Sequence, residues 1–429
     1  EDLADVTYPT EVSYAKQGFG GTLTILTMGA HAPMIEMQKE SLRRRVNAIY
    51  GYNAIRRIRI TQTSAHGFAE AQAVFANHDD EPAALGRDAQ VRGGLANAGI
   101  AFHTYKDHVV FERQEVLTLA GNPYTVFTPY KNAWLKKIQP EDLAAHPVSE
   151  HASALVPRPA QFRLPVPTLP DIDFENIDLK ALHYKPGVSG AQALLEDFLH
   201  RIDRYEETRN FPAIKGPSYL SVHLRFGTIS IRSLARAAYP DHTKFLTELI
   251  WLDFYQMILK HFPESPKKAI KPAYDRIVWE ANEDHFTAWC QGKTGYPLVD
   301  AGMRELNATG FMHNRVRMVV ASFLTKHLLL DWRLGEAYFA AKLMDFDLAS
   351  NVGGWQWASG SGCDAAPYFR IFNPASQLEK FDKDLRYVRK WVPEYGTAHY
   401  PKPIVDHKEA RERCLLRYKE GLASANSGL

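Results

Sequence analysis

Cysteine is scarce and scattered in this sequence. Cys290, Cys363 and Cys414 are the only three in 429 residues. They are odd in number and lack the close spacing of a metal site or a disulfide framework, so they read as reduced thiols of a cytoplasmic protein. No H-E-x-x-H pair, no G-x-S-x-G elbow and no C-x-x-C pair occurs. The common zinc and serine-hydrolase chemistries are therefore unsupported, and no metal is expected. Long hydrophobic runs are also missing: nothing approaches the roughly 20 apolar residues of a membrane span, and no signal peptide opens the chain. Nor is there a surplus of charge. Lys and Arg total 51 against 49 Asp and Glu, a net +2, so any nucleic-acid footprint must be local.

What is present is a core-forming share of apolar residues, 45%, and an uneven supply of tryptophan. Seven of the eight Trp residues lie between Trp251 and Trp391, in one region of the chain. Length alone suggests two or three domains. Residues 1–75 predict an atypical α/β segment, with strands at 22–27 and 55–60 around a helix from about 32 to 49. Arg43, Arg44, Arg45, Arg56, Arg57 and Arg59 there suit either a phosphate contact or a solvated face. Residues 76–145 read as more of an α/β domain, with a helix at 87–99, a strand pair at 101–111 and a helix from 132. The prolines at 147, 157, 159, 165, 167 and 170 mark residues 146–187 as an extended interdomain linker. From 188 to 429 the apolar spacing is helical nearly throughout, with runs at 191–209, 229–239, 243–262, 283–291, 298–309, 314–330 and 335–345.

The chemistry concentrates in residues 331–374. Asp345 and Asp347 flank Phe346 in an apolar helical run, and buried carboxylates need partners. Asn351 and the Gly353-Gly354 pair are expected to break that run. Trp355 and Trp357 follow across one Gln, and Tyr368-Phe369-Arg370 makes an aromatic-basic patch. Upstream, Asn314 and Arg317 share a helix face while Arg315 is expected to point elsewhere. Arg317 is a natural cation for Asp345 and Asp347. Pro217-Ser218-Tyr219-Leu220-Ser221 suits either an anion site or an ordinary helix cap. Gly292-Lys293-Thr294 looks like the end of a phosphate loop, but Thr287 stands where the upstream glycine belongs, which excludes that ATP site. Together these residues describe a polar nest in a helical, Trp-rich domain, suited to a ring cofactor with a phosphate or sugar tail.

From about Asn77 onward the chain resembles the photolyase/cryptochrome family, and most closely bacterial class I cyclobutane pyrimidine dimer photolyases. The stretches that carry the resemblance are ELIWLDFY (248–255), GKTGYPLVDAGMREL (292–306), TGFMHNRVRM (309–318), DWRLGEAYF (331–339), DFDLASNVGGWQWASGSGCDAAPYFRIFNP (345–374) and PIVDHKEAR (403–411). The resemblance implies an incomplete α/β antenna-type domain and a large all-α domain holding FAD. It also implies light-driven electron transfer from reduced FAD to a cyclobutane dimer flipped out of UV-damaged DNA, by a monomer that needs no membrane. A photoreceptor without repair activity is the alternative within the same family.

Carried over by position, Tyr205 and Pro217, Ser218, Tyr219, Leu220 and Ser221 would hold the FAD phosphates and ribose. Asn314, Arg317, Asp345, Phe346 and Asp347 would line the rings, and Asn351 would face the flavin N5. Trp279, Trp332 and Trp355 match the family's electron-transfer chain. Glu248, Trp251, Met318 and Trp357 would form the lesion pocket, with Arg209, Arg315 and Arg370 near DNA phosphates; Met318 implies cyclobutane dimers rather than (6-4) lesions.

The chain also departs from the family. Leu252 stands where relatives commonly place Arg, and Pro217 where Thr is usual. The W-F-R-x-D-L-R-type first strand is absent; residues 1–75 instead resemble part of bacterial DciA-type helicase-associated proteins, and alignable photolyase sequence is expected to start at 74–77. Ala83-Ala84 stands where folate-binding members carry an Asn-Glu pair, which argues against a folate antenna and leaves any antenna chromophore undetermined.

Overall fold

A computed structural model describes residues 7–13, 21–28, 39–40, 42–44, 47, 55–63, 72–157, 185–365 and 367–423. Most of the expected 32–49 helix and most of the proline-rich linker lie outside these residues. The chain divides into two compact units, Glu1–Ala76 with Arg87–Thr104, and Asn77–Gly86 with Tyr105–Leu429.

In the first unit β1 (Thr7–Ser13) runs antiparallel to β2 (Gly21–Met28), which runs parallel to β3 (Ile55–Thr63). Period-two alternation puts Leu23 and Ile25 on one face of β2, where they pack with Ile58 and Leu42. Arg43 of the basic cluster pairs with Glu40 at 2.9 Å. A second sheet joins β4 (Ala73–Asn77) and β5 (Ala101–Tyr105), so the expected strand pair at 101–111 is one short strand. Between them in sequence runs α1 (Pro82–Asn97).

The second unit is helical: α2 (Phe127–Lys137), α3 (Gly187–Leu199), α4 (Tyr205–Thr208), α5 (Ser221–Arg225), α6 (Ile231–Ala238), α7 (Thr243–His261), α8 (Glu283–Gln291), α9 (Pro297–Thr309), α10 (Asn314–Ser322), α11 (Trp332–Lys342), α12 (Leu348–Ser359), α13 (Pro374–Phe381), α14 (Arg386–Trp391) and α15 (His407–Ala423). The linker is not wholly extended, since Val148–Ala154 forms a 3-10 turn. The expected 314–330 helix stops at Ser322 and passes into a π turn, Phe323–His327. Polar caps set several helix starts: Asn282 accepts from His285 N at the head of α8, Asp331 from Arg333 N at α11, and Asp347 from Ser350 N at α12. Gly292, in the left-handed region at φ 62°, closes α8, and Thr294 donates from N and Oγ1 to buried Asp300. The phosphate-loop look of 292–294 is therefore a helix stop.

Gly353-Gly354 does not break a helix; both lie inside α12. A Cβ at Gly353 would sit 2.2 Å from the Tyr255 ring, so the glycine lets α12 press onto α7. The break falls earlier, at 343–347.

The π turn buries Lys326 to 1% exposure. Its Nζ donates to Ser359 O at 2.8 Å and lies 3.7 Å from the centre of the Tyr418 ring. Burial pushes this amine down to about 7, whereas an unfolded chain holds it near about 10.4. Between those values the unfolded state binds more protons, so Lys326 adds stability as pH rises from 7 towards 10. We expect the unfolding free energy of the wild type, measured in urea, to climb from pH 7 to pH 9 relative to Lys326→Met, by at most about 1.4 kcal/mol per pH unit. Parallel pH profiles for the two proteins would contradict this account.

Candidate active site

Helix α7 presents Glu248, Trp251, Leu252 and Tyr255 on one stripe, at the i, i+3, i+4, i+7 spacing of a helix face. Opposite stand Asn314, Arg315, Arg317, Met318 and Ala321 of α10. The turn residues Asp345, Phe346 and Asp347 and the α12 residues Ser350, Asn351, Gly354, Trp355 and Trp357 complete a cavity of about 460 Å³. A second cavity of about 340 Å³ shares its wall at Arg209, Glu248, Leu252, Asn314, Arg315, Arg317, Asp345, Asp347 and Ser350. Tyr205 and Pro217, Ser218, Tyr219, Leu220 and Ser221 line this second space. Tyr219 takes the left-handed backbone conformation there, φ 60°, and Ser218 Oγ accepts from Leu220 N at 3.3 Å.

The two aspartates divide their partners. Arg317 donates to both Asp345 oxygens, at 3.1 and 2.9 Å, and the Asp345 side chain is 5% exposed. Asp347 does not pair with Arg317. It caps α12 and accepts from Gln256 Nε2 at 2.7 Å, with His108 Nε2 at 3.7 Å. Asn351 donates through Nδ2 to Glu336, at 3.1 Å to the backbone oxygen and 2.9 Å to the carboxyl. Both partners accept, so the amide's orientation is fixed and its carbonyl oxygen is left for the cavity. Burial raises the Glu336 carboxyl.

Arg315, expected to point away, lines both cavities. Its Nη2 donates to Asn210 Oδ1 at 2.7 Å, its guanidinium lies 4.5 Å over the Phe381 ring, and its Nε is buried without a partner. Burial and the nearby charges of Arg209 and Arg370 weaken its hold on the proton. Next to it, His313 accepts from Arg315 N at 3.1 Å through Nδ1. Burial, reinforced by Arg315 and Arg317, pushes this imidazole down to about 3, so it is neutral. Arg209 pairs with Glu248.

Trp251, which lines the cavity, is stacked on Phe127, ring centres 3.6 Å apart and planes within 5°, with Tyr255 tilted against it at 5.3 Å. Trp355 is buried against Phe339 and Trp289, at 5.1 and 6.1 Å. Trp332 is buried to 1%, and Gly335, on the same helix, lies against the Trp355 ring. Trp279 is away from the cavity, half-buried and edge-on to Tyr418 at 6.1 Å. Arg370 is exposed and outside both cavities. Sequence reasoning missed His108, Asn210, Gln256 and Glu336 as site residues and read Gly354 only as a helix breaker; none lies on a periodic face with a visible polar partner, and only Glu336 and Gly354 sit in stretches that carried the resemblance.

The family described as the FAD binding domain of DNA photolyase matches residues 245–399, and that described as DNA photolyase matches 63–150. Over 379 residues the chain is 39% identical to the deoxyribodipyrimidine photo-lyase of Escherichia coli, covering 81% of this chain and 78% of the relative.

The chain belongs to the DNA photolyase/cryptochrome family.

Among solved structures of this family it is similar to a bacterial class III photolyase from Agrobacterium tumefaciens, with TM-score 0.72 and 36% identity over 85% of this chain and 84% of that one. It is also similar to the cryptochrome of Synechocystis, with TM-score 0.70 and 26% identity over 84% and 83%. The photolyase match begins at residue 63, ahead of the expected 74–77. Residues 1–60 match the family described as Dna[CI] antecedent, DciA, in line with the resemblance of that segment.

The cavities fit the flavin cofactor of the photolyase family. One is floored by Trp355, Phe339, Phe346 and Met318 and carries an unused amide oxygen and an ion pair, as a polar ring system requires; the other offers hydroxyls at 218 and 221. Gly354 lines the first with open space where its Cβ would be. Gly354→Leu is expected to fill that space, so that purified protein retains less than about a tenth of the wild-type flavin absorbance. The unfolding free energy of its apo-protein in urea should fall by no more than about 0.5 kcal/mol. Full flavin retention would show that the ring lies elsewhere.

Proposed function

We propose that this protein repairs cyclobutane pyrimidine dimers in UV-damaged DNA as a light-driven, FAD-dependent photo-lyase. The observation that carries the reading is a single cavity lined together by Trp251, Trp357, Glu248, Met318, Asn351 and the Arg317–Asp345 pair. FAD, when bound, supplies light absorption and the electron that the reaction transfers.

The chain's own residues do the rest. Asn314, Arg317, Asp345 and Phe346 would hold the ring system, with Asp347 fixing the α12 start beside it. Asn351 would present its carbonyl oxygen to an N–H at the flavin N5. Tyr205 and residues 217–221 would take the ribose and phosphates; Pro217 and Leu252 supply no donor, so hydroxyls and main-chain groups carry that contact. Trp251 and the half-buried Trp357 would stack on the two flipped bases, each stack contributing about 1–3 kcal/mol. Glu248 would accept a hydrogen bond from a base edge, Arg315 and Arg370 would attract phosphate, and the apolar Met318 would help keep water from the lesion. Trp355, Trp332 and Trp279 would conduct electrons inward from the surface. We read the protein as acting as a monomer in the cytoplasm.

Illumination of the protein with a thymine-dimer oligonucleotide and a thiol reductant should restore undamaged thymines. Unchanged dimer content, in protein that holds FAD, would favour instead a photoreceptor like the similar cryptochrome. Trp332→Phe is expected to slow photoreduction of oxidised cofactor by at least about tenfold while changing repair by pre-reduced protein less than about twofold. Equal loss of both would remove Trp332 from the conducting chain.

A further inference from the structure

Two arginines face the wall that the cavities share, and their partners differ. Arg209 donates through Nη1 to Glu248 Oε1 and lies 5.3 Å from the centre of the Tyr205 ring. Its side chain is 16% exposed and that of Glu248 28%. Burial works against the Arg209 charge, and the Glu248 carboxylate more than offsets it. Arg315 has no carboxylate partner among the described residues. It bonds the neutral Asn210 amide, and its near charged neighbours are the cations Arg209 and Arg370. A guanidinium already matched to a carboxylate adds little to the field that draws phosphate, whereas one set among cations adds most.

The chain arranges both contacts from one corner. Arg209 and Asn210 are adjacent at the end of α4; the first reaches α7 and the second reaches α10. We propose that Arg209 is the positioning residue of Glu248, aiming its carboxylate at the flipped lesion, and that phosphate attraction on this wall belongs to Arg315. The inference rests on the reading of Glu248 as a lesion contact. It gives Arg209 a role in recognising damage rather than in general DNA affinity.

Affinity separates the two roles, measured in the dark for a duplex with one thymine dimer and for the same duplex undamaged, over a range of salt. Arg315→Met should weaken both duplexes alike and lower the slope of log K against log salt by about one. Arg209→Met and Arg209→Lys should each weaken the dimer duplex about tenfold, leave the undamaged duplex within about twofold and keep the slope. Lys retains the charge but not the planar guanidinium that lies by Tyr205 while meeting Glu248, so a phosphate contact would survive Arg209→Lys and a positioning contact would not; that variant also covers a Met variant that fails to fold. The double variant Arg209→Met with Glu248→Gln should bind the dimer no more weakly than Glu248→Gln alone. The inference is overturned if Arg209→Met lowers undamaged-duplex affinity and the salt slope by about one. Preserved dimer affinity in Arg209→Lys, or additive losses in the double variant, would overturn it too. If Glu248→Gln binds the dimer as wild type does, the lesion role of Glu248 fails and the inference with it, a result that Arg209→Met acting through phosphate would not produce.

Discussion

The Arg317–Asp345 ion pair ties α10 to the turn between α11 and α12, and the cavity is the space those elements enclose. A carboxylate with so little exposure cannot stand alone; removing one partner of such a pair costs on the order of 3–5 kcal/mol. The turn must therefore stay out of helical register at Asp345, and Asp347 enforces this two residues later by capping α12. Gln256 then anchors Asp347 from α7. Three helices and the turn meet through four side chains, and the close approach at Gly353 sets how near α12 comes to α7. The stripe at 248, 251, 252 and 255 faces the cavity because these contacts fix α12 across from it.

Charge is distributed over this frame rather than accumulated. The chain is almost neutral overall, so attraction of a polyanion depends on where cations lack local partners. Arg209, Arg225 and Arg317 are each matched to a carboxylate. Arg315 is matched to an amide, beside a His313 that burial keeps neutral. Protonating that imidazole would add another cation to a buried group of guanidiniums, which explains why its burial and theirs occur together. The field at the cavity wall is thus positive at Arg315, next to a Glu248 already compensated by Arg209.

What the sequence made legible follows from local spacing. The helical stripes, the tryptophan cluster, the need of Asp345 for a cation and the false phosphate loop at 292–294 all depend on residues within a few turns of one another. The quoted stretches added the family and, through it, the cofactor. What stayed hidden depends on distant partners. Gln256 reaches Asp347 across 91 residues, and Asn210 reaches Arg315 across 105; neither has a periodic or compositional mark. Gly353-Gly354 reads as a helix break because glycine is flexible, yet here the missing Cβ serves close packing against Tyr255. Arg315 was placed on the wrong face because helical spacing was applied at the second residue of α10, where no preceding turn of that helix constrains the side chain.

The departure at the N-terminus leaves this chemistry untouched, for a structural reason. All residues lining the two cavities lie between His108 and Trp357, within the second compact unit. The β1–β3 sheet lies in the first, over a segment that matches a different family. No lining residue is lost by that replacement. A chain so built still has the two cavities and the buried Trp332 and Trp355 beside them. At the start of α1, Ala83 is exposed and Ala84 buried, two methyl groups where the resemblance leads one to expect the Asn-Glu pair of folate-binding members. These two positions therefore give a folate no hydrogen bond from a side chain, and any second chromophore would have to be held by other residues.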